Sequence, residues 1–309
     1  MFDIIGDIHG HADELTELLS VLGYSEQHGV YRHPTRRVFF CGDFIDRGPH
    51  IPDVVRIARS MVENDSALAV MGNHEFNALA YHTQNPAQPG EFLRPHTERN
   101  QFLHARTLEQ FDESGLQSAL EWFGSLPVAA DMGSFRVVHA CWSPSQIELL
   151  QTVAAEYGSA WTAGFLVPAS ATDDPVYEAV ECVLKGPELT LPEGLSVQDK
   201  EGNTRRRIRI RWFEEAAEHT WATYSLPVRG QLPKVSVPAD SPAVPYPSDA
   251  PPVFVGHYWL PESEPVPLAS NVACLDYSVA KDGMLAAYRF DGESTLSADR
   301  FVTVPARPS

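Results

Sequence analysis

The sequence predicts an α/β fold, in which parallel strands alternate with helices. Three times in the first 81 residues, an apolar run typical of a buried strand leads into a glycine-containing turn and then into a helix-forming segment. The predicted strands are residues 2–5, 38–41 and 67–71, and the predicted helices are residues 12–22, 51–62 and 75–81. Such repeated units favour a parallel sheet, whose turns gather at the carboxyl ends of the strands, where α/β proteins bind ligands.

Acids, imidazoles and an amide occupy these three turns. The sequences of the turns are GDIHG (residues 6–10), GDFIDRG (residues 42–48) and GNHE (residues 72–75). Glycine allows a sharp turn and a close approach of the backbone to a ligand. The pattern therefore predicts a ligand site at this edge of the sheet.

The rest of the chain continues with predicted helices at 101–111, 120–126, 147–157 and 175–184, and with predicted strands at 134–142, 253–257, 272–276 and 284–290. Two of these strands carry a histidine at their end, His139 and His257. Between them, residues 143–250 are less regular and are interpreted as a cap inserted in a single domain of residues 1–309.

The cap has two notable segments. Residues 205–212 alternate in the manner of an edge strand, and residues 227–252 are rich in proline and predict an extended arm. The alternation puts arginines on one face and apolar residues on the other, namely Arg207, Arg209 and Arg211 against Ile208, Ile210 and Trp212.

Composition excludes some classes of partner. The formal net charge is -18 and the pI is about 5.0, which argues against nucleic-acid polymers and anionic membranes, because both attract basic surfaces. The four cysteines form no Cys-x-x-Cys pair, so free thiols in a reducing compartment are expected. No signal peptide or membrane-spanning run is present, so we expect a cytoplasmic protein. The sequence leaves the oligomeric state open.

Each polar residue at a strand end has an ordinary explanation when it is taken alone. Asp7 or Asp43 can be a helix cap, His139 can be a hydrogen-bonded core residue, and Asn73 can be a turn residue. Taken together, they favour a metal site instead. The candidate ligands are Asp7, His9, Asp43, Asn73, His139 and His257. Oxygen and imidazole ligands suit Mn²⁺, Fe or Zn²⁺ better than Ca²⁺ or Mg²⁺.

The same turns also supply groups for phosphoryl chemistry. Two ions that share a carboxylate lower the pKa of a bridging water and clamp a phosphoryl group for in-line attack. Arg47 offers a bidentate fork for phosphate oxygens. His74 can protonate a leaving alkoxide, provided that a carboxylate holds its ring, and Asp46 is the natural partner.

The three turn motifs resemble those of calcineurin-like metallophosphoesterases. The Asp-Arg-Gly ending and the Asn-His-Glu block are similar to the phosphoprotein phosphatase branch, which includes serine/threonine phosphatases and symmetrical diadenosine tetraphosphate hydrolases. The resemblance covers residues 1–142 and about 253–290. It implies a four-layer α/β/β/α sandwich with two divalent metal ions, Mn²⁺ being the first choice and Fe, Zn²⁺ or Ni²⁺ the others.

The resemblance also implies individual roles for the candidate residues. One metal would be held by Asp7, His9 and His257, the other by Asn73 and His139, and Asp43 would bridge the two. His74 would be the general acid, paired with Asp46, and Arg47 would bind phosphate.

One departure from the family leaves the substrate open. Eukaryotic members carry a second phosphate-binding arginine after the block of His139, but no arginine occurs here between residues 136 and 205. The candidates to replace it are Lys185, Arg207, Arg209 and Arg211. Alternatively, these arginines form solvent-exposed ion pairs with Glu214, Glu215 and Glu218.

The leading prediction for the reaction is hydrolysis of phosphate monoesters, in a phosphoprotein or a small ester. The alternative is hydrolysis of dinucleoside polyphosphates, for which Trp142, Trp161, Trp212 and Tyr258 could stack on a base or could simply be core residues. A catalytically inactive binding protein is disfavoured, because every ligand and both His74 and Asp46 are present.

Overall fold

Two β-sheets lie at the centre of the computed structural model, which describes residues 1–157, 161–198, 204–227, 231–238, 244–261 and 263–307. The strands are β1 (Phe2–Ile5), β2 (Ser25–Gln27), β3 (Val30–Arg32), β4 (Arg37–Phe40), β5 (Ala67–Ala69), β6 (Ala129–Asp131), β7 (Arg136–Val138), β8 (Glu188–Thr190), β9 (Val197–Gln198), β10 (Thr204–Arg205), β11 (Arg207–Arg209), β12 (Val253–Val255), β13 (Val272–Cys274), β14 (Asp276–Tyr277), β15 (Met284–Phe290) and β16 (Phe301–Pro305). The helices are α1 (Ala12–Val21), α2 (Ile51–Glu63), α3 (Asn73–His82), α4 (Glu98–Gln110), α5 (Glu113–Phe123), α6 (Pro144–Glu156), α7 (Ala163–Ser170), α8 (Pro175–Lys185) and α9 (Trp221–Tyr224).

The first sheet has the strand order β14-β15-β1-β4-β5, and β16 pairs with β15. Strands β1, β4 and β5 run parallel, with Ile5 beside Phe40 and Phe40 beside Ala69, which confirms the predicted parallel arrangement. The three turns with polar residues therefore leave the sheet at the same edge. Strand β15 pairs antiparallel with β1 on the other side.

The second sheet has the order β13-β12-β7-β6. Strand β12 runs parallel to both β7 and β13, whereas β6 is antiparallel to β7. Because β7 and β12 are parallel neighbours, the histidines that follow them, His139 and His257, also leave this sheet at one edge.

The two sheets pack face to face, and helices cover their outer faces. Alternate residues separate the layers: Ile4 and Phe39 join Val137 and Phe254 of the second sheet in the inner core. Helices α1 and α2 lie against the first sheet. The outward residues of the second sheet share the larger core with the apolar residues of α6, α7 and α8. The four-layer α/β/β/α order implied by the resemblance is confirmed.

Several boundaries differ from the predicted ones for local reasons. Helix α5 starts seven residues before residue 120, because Asp112 caps it by accepting a hydrogen bond from the N–H of Gly115 at 2.7 Å. The predicted strand 134–142 ends at Val138, because the N–H groups of Ala140 and Cys141 donate to a carbonyl of α8 instead of a neighbouring strand. The short hairpin β2–β3 and helix α7 were not predicted.

The predicted cap, residues 143–250, divides into two parts in the structure. Helices α6, α7 and α8 belong to the main core. A smaller core of its own joins residues from 191 to 237, among them Ile208, Ile210 and Trp221. Residues 228–230 and 239–243 of the predicted arm lie outside the described residues, and the end of the arm is fastened where Asn271 donates to the carbonyls of Pro247 and Ala250. We propose that the cap proper is this smaller unit.

Two expectations concern the whole chain. The four cysteines are free, as expected. Across the described ranges, every helix is too short or too polar to cross a bilayer.

A buried charge cluster fastens the amino end of β1. The carboxylate of Asp3, which is fully buried, accepts hydrogen bonds from Tyr24, Arg36 and Arg289 at 2.9–3.2 Å. The guanidinium of Arg36 also donates to the carbonyls of Phe2 and Phe290. The cluster thus ties β1 to β15 and to the start of β4.

We expect Arg36→Met to lower the free energy of unfolding by about 3–5 kcal/mol, because Asp3 would keep a buried charge that has lost its main partner. The matched control is Arg56→Met, since Arg56 forms an exposed pair with Asp53 and such pairs contribute about 1 kcal/mol or less. Urea denaturation monitored by circular dichroism measures both changes. Equal effects for the two variants would contradict the structural role of the cluster.

Candidate metal centre

Five loops from the two sheets meet at one site. The loops after β1 and β4 bring Asp7, His9, Asp43, Asp46 and Arg47, the start of α3 brings Asn73 and His74, and the loops after β7 and β12 bring His139 and His257. All six residues that were predicted as metal ligands lie in this one region.

The turns after β1 and β4 brace each other. The N–H groups of Ile8 and His9 both donate to the carbonyl of Asp43, at 3.1 and 2.9 Å. Four residues of these turns adopt left-handed backbone angles, with φ of 48° at His9, 55° at Asp43, 65° at Asp46 and 67° at Arg47. Such conformations cost on the order of 1–3 kcal/mol each and persist only where the surroundings hold them. Here the two turns hold each other.

Two glycines permit the close approach of these loops. A Cβ at Gly42, whose φ is +95°, would lie 2.5 Å from the backbone nitrogen of Gly72. A Cβ at Gly256 would lie 1.9 Å from Oδ1 of Asp7. A side chain at either position would push a ligand-bearing loop out of place.

Backbone carbonyls set the orientation of two imidazoles. Nδ1 of His9 donates to the carbonyl of Ile45 at 2.8 Å, and Nδ1 of His139 donates to the carbonyl of Cys41 at 2.7 Å. Because a carbonyl only accepts, Nδ1 carries a proton in both rings, which leaves Nε2 as the atom that can bind a metal. These Nε2 atoms lie 3.6 Å and 3.4 Å from Oδ2 of Asp43. Both rings therefore direct Nε2 towards the same carboxylate.

The arrangement fits metal ions. There are two groups of potential ligand atoms, and the atoms of each group lie within 4.8 Å of one another. One group is formed by His9, Asp43 and His74, and the other by Asp43, His139 and His257. Asp43 is common to both groups, as a bridging carboxylate must be. Within the part of the chain that the structure describes, the buried Nε2 atoms of His9 and His257 have no hydrogen-bond partner. Buried polar atoms without partners are costly, and a bound cation would satisfy them.

His257 lies on a different side of the site from the one expected. Its backbone N–H donates to both oxygens of Asp7, at 3.1 and 3.0 Å, while its Nδ1 is 2.6 Å from Oδ1 of Asn73. The ring therefore groups with Asn73 and His139, not with Asp7 and His9. The hydrogen bonds to Asp7 fix the main chain at His257. The ring of His257 then lies beside that of His139, at 5.3 Å between centroids.

Electrostatics also favour cations at this site. Burial, followed by the charges of Asp276 and Asp43, raises the pKa of Asp7 well above its usual value. Burial alone would lower the pKa of His139, but the charge of Asp43 raises it to about 10. Burial and the nearby His74 lower the pKa of His9 to about 3. Carboxylates are thus crowded in a buried space, where positive charge stabilises them.

The ring of His74 is held by a carboxylate, as predicted from the sequence. Nδ1 of His74 lies 2.5 Å from Oδ2 of Asp46, and its Nε2 lies 3.9 Å from Oδ2 of Asp43. The backbone N–H of His74 also donates to Oδ1 of Asp43 at 2.9 Å. Nε2 of His74 therefore faces the candidate ligands.

Glu75 supports the site, although no role was predicted for it. Its fully buried carboxylate accepts hydrogen bonds from the N–H groups of Asp43, Phe44 and Gly72, at 2.8, 2.8 and 3.1 Å. Burial and the charge of Asp43 raise the pKa of Glu75 to about 7. The signal was present in the sequence, because a glutamate three residues into a helix start is typical of a capping box.

The side chain of Arg47 lies against an aromatic ring. Its guanidinium lies 4.3 Å from the ring centroid of Trp259, whose backbone N–H donates to Oδ2 of Asp276 at 2.7 Å. Among the described residues, the buried Nε of Arg47 has no hydrogen-bond partner. The guanidinium is therefore oriented by stacking and retains donors for an anion.

An open cavity of about 530 Å³ lies over these residues. Three of the four basic residues proposed from the cap line it, Lys185, Arg207 and Arg209. Lys185 is paired with Glu181, and Arg207 lies 3.5 Å from Glu188. Nε of Arg209 donates to the carbonyl of Lys185 at 3.0 Å.

Arg209 lies close enough to His257 to affect it, whereas Arg211 is not among the residues that line the cavity. Burial, followed by the positive charge of Arg209, lowers the pKa of His257 well below its usual value. Arg211 instead pairs with Glu214 and donates to the carbonyl of Leu268. Strand β11 ends at Arg209, but the alternation continues as predicted, because Ile208, Ile210 and Trp212 are all buried.

The four aromatic residues considered as a base platform are core residues. The side chains of Trp142, Trp161, Trp212 and Tyr258 are at most 8% exposed. Of these four, only Tyr258 reaches the wall of the cavity, where it joins Tyr81 and Trp259. The sequence did not single out Trp259, because side-chain directions after β12 depend on tertiary packing.

We expect the protein to bind two divalent ions per chain and Asp43→Asn to lower this content, since one ligand of both groups is weakened. Elemental analysis after dialysis against Mn²⁺ measures the ratio. Asp53→Asn, an exposed change on α2, should retain the parent's content. Retention of two ions by Asp43→Asn would contradict the bridging position.

Comparison with known proteins agrees with this architecture. A family model described as calcineurin-like phosphoesterase matches residues 1–158. Two relatives are named bis(5'-nucleosyl)-tetraphosphatase PrpE [asymmetrical]. The one from Halalkalibacterium halodurans is 51% identical over 74 residues, covering 24% of this chain and 30% of the relative, and the one from Bacillus subtilis is 41% identical over 146 residues, covering 45% and 57%. The chain thus matches between about a third and a little over half of their lengths.

A solved structure shares the fold over a greater length. It is a protein serine/threonine phosphatase from Saccharomyces cerevisiae with similarity to human phosphatase PP5, with a TM-score of 0.51 and 11% identity, covering 100% of this chain and 80% of that one. At this identity, the likeness concerns the fold alone. With the family model covering about half of the chain and the two-sheet architecture in place, the protein belongs to the calcineurin-like phosphoesterase family.

Proposed function

We propose that the chain is a metal-dependent phosphohydrolase. One ion would be held by Asp7, His9 and Asp43, and the other by Asp43, Asn73, His139 and His257. Two bound ions would supply an activated water and neutralise phosphoryl oxygens. Mn²⁺ is the preferred candidate, because the donors are oxygens and imidazoles. The observation that carries the proposal is the shared carboxylate of Asp43 between two sets of ligand atoms.

Three further side chains would act on the substrate. Arg47 would bind phosphoryl oxygens, since its guanidinium is oriented by Trp259 and offers a bidentate fork. His74 would donate a proton to the leaving oxygen, and Asp46 would hold the ring through its Nδ1–H. This division of roles is that of a general acid and its orienting carboxylate.

The cavity favours substrates with several phosphates in a row. Eight basic residues line it, in a chain whose net charge is -18; they are Arg47, Arg94, Arg99, Lys185, Arg205, Arg207, Arg209 and Lys281. Four acids also line the cavity, Asp43, Asp46, Glu181 and Glu188, so basic residues are in excess. Such an excess of positive charge attracts anionic ligands. The tetraphosphatase names of the relatives point in the same direction. We therefore place dinucleoside polyphosphates first, ahead of the phosphate monoesters that the sequence alone favoured.

Phosphate monoesters are the second candidate, and the His74–Asp46 pair favours them. An alkoxide leaving group needs protonation, whereas a phosphate leaving group needs little. The imidazole held 2.5 Å from Asp46 would serve the first kind of leaving group better than the second.

A side-by-side assay separates the candidates. Metal-stripped protein is reloaded with Mn²⁺ and tested on diadenosine tetraphosphate, a phosphopeptide and p-nitrophenyl phosphate. We expect the highest kcat/KM on diadenosine tetraphosphate. A higher value on the phosphopeptide would overturn the substrate assignment, and full activity without metal would overturn the reaction itself.

The cap arginines offer a matched pair of variants. We expect Arg209→Ala to raise KM for diadenosine tetraphosphate by about tenfold, the worth of one charge-assisted hydrogen bond. Arg211→Ala should leave KM near that of the parent, because Arg211 is bound to Glu214 outside the cavity. Steady-state kinetics at two salt concentrations measure both variants. Equal KM values for the two would show that Arg47 and the metals bind phosphate without the cap.

A further inference from the structure

The two carboxylate oxygens of Asp46 have different partners. Oδ2 faces Nδ1 of His74 at 2.5 Å. Oδ1 accepts from the hydroxyl of Thr107 at 2.6 Å and from Nδ1 of His104 at 2.9 Å. His104 and Thr107 lie on α4, 58 and 61 residues from Asp46 in the chain. One oxygen therefore holds the imidazole of His74, and the other is held by a separate helix.

Asp46 is a charged acceptor in this arrangement. Burial would raise the pKa of Asp46, but hydrogen bonds from His104 and then His74 lower it well below its usual value. An ionised carboxylate only accepts, so both histidines direct Nδ1–H towards it. The backbone N–H of Asp46 also donates to Oγ1 of Thr107 at 3.1 Å, so α4 fixes the main chain of Asp46 as well as its side chain.

The far side of the His104 ring is also fixed. Nε2 of His104 lies 3.3 Å from Nε2 of His82 at the end of α3, and the ring is 5.1 Å from that of Tyr81. Burial, followed by the charges of His104 and His96, lowers the pKa of His82 to about 4. Near neutral pH the ring of His82 is therefore uncharged and can either donate or accept at Nε2. His104 is thus held at both ring nitrogens.

We propose that His104 is a positioning residue for the general acid: it anchors Oδ1 of Asp46 so that Oδ2 keeps the ring of His74 in its reactive orientation. The inference rests on the proposed function, in which His74 is the proton donor. The physical need for an anchor is clear, because the χ2 torsion of an aspartate has broad preferences and Asp46 has a left-handed backbone, with φ of 65°. Without His104, Oδ1 would keep only the hydroxyl of Thr107 as a side-chain donor, and the carboxylate would hold the ring of His74 less firmly.

Two substitutions of His104 separate positioning from packing. His104→Leu removes the donor and keeps an apolar side chain, whereas His104→Asn retains an N–H near the place of Nδ1. We expect His104→Leu to lower kcat on an alkyl phosphate such as glycerol 2-phosphate by about 10–100-fold, the usual effect of losing a supporting hydrogen bond. The loss on p-nitrophenyl phosphate should be clearly smaller, because that leaving group needs little protonation. His104→Asn should recover most of the lost rate.

Three further variants complete the comparison. His74→Asn should show the same preference between leaving groups with a larger loss, about 10²–10⁴-fold on the alkyl phosphate. Thr107→Val removes the second hydrogen bond to Oδ1 and should repeat the effect of His104→Leu in milder form. His96→Leu is the control, because its ring stacks between Tyr81 and Phe92 and it does not contact Asp46. It should keep the parent's ratio of rates on the two substrates.

A spectroscopic measurement tests the idea without turnover. In metal-free protein, the Nδ1 proton of His74 should give a downfield NMR resonance that disappears in His74→Asn. We expect His104→Leu to shift or broaden this resonance, while His104→Asn and His96→Leu leave it in place. Metal content should remain at the parent's level in all of these variants of His104.

The outcomes distinguish the inference from the proposed function. If the parent loaded with Mn²⁺ hydrolyses none of the phosphate substrates, the proposed function fails. If the parent is active and His74→Asn shows the leaving-group preference, but His104→Leu slows both substrates equally or leaves the resonance unchanged, the inference alone fails. Loss of metal from His104→Leu would likewise assign His104 to a purely structural role.

Discussion

Asp43 is a buried carboxylate that faces three imidazoles, and the loops of the site are arranged around the turn that carries it. Its Oδ2 lies 3.4 Å from His139, 3.6 Å from His9 and 3.9 Å from His74. Its main chain accepts from the loop after β1 and donates to Glu75 at the start of α3. A displacement of this turn would therefore disturb contacts with both sheets. The same contacts hold the turn in its left-handed backbone conformation.

The charged groups at the two ends of the first sheet differ in how far the protein itself supplies their partners. At the amino end of β1, Asp3 is satisfied by Arg36, Arg289 and Tyr24, and the cluster is complete within the protein. At the carboxyl ends, Asp7 and Asp43 are crowded together, and the Nε2 atom of His9 has no partner among the described residues. The completed cluster stabilises the fold, and the incomplete one is available for metal ions.

Basic residues from separate parts of the chain line the cavity over the candidate metal site. Arg47 comes from the sheet turn, Arg94 and Arg99 precede and begin α4, and Arg207 and Arg209 come from the small cap. Their positive charge is concentrated in an acidic protein, so the local field differs in sign from the overall charge. The shape and charge of this wall, more than the metal ligands, would select the substrate.

The sequence by itself determined the three strand–turn–helix units, the polar residues in their turns, and the two later strands that end in His139 and His257. These features follow from local patterns, because apolar runs, glycine and strand ends are readable over a few residues. Only the tertiary structure decided that the ring of His257 turns to Asn73, that Arg209 lines the cavity while Arg211 does not, that Trp259 holds Arg47, and that His104 holds Asp46. Each of these depends on how distant elements pack, which sets side-chain direction, and no short stretch of sequence contains that information.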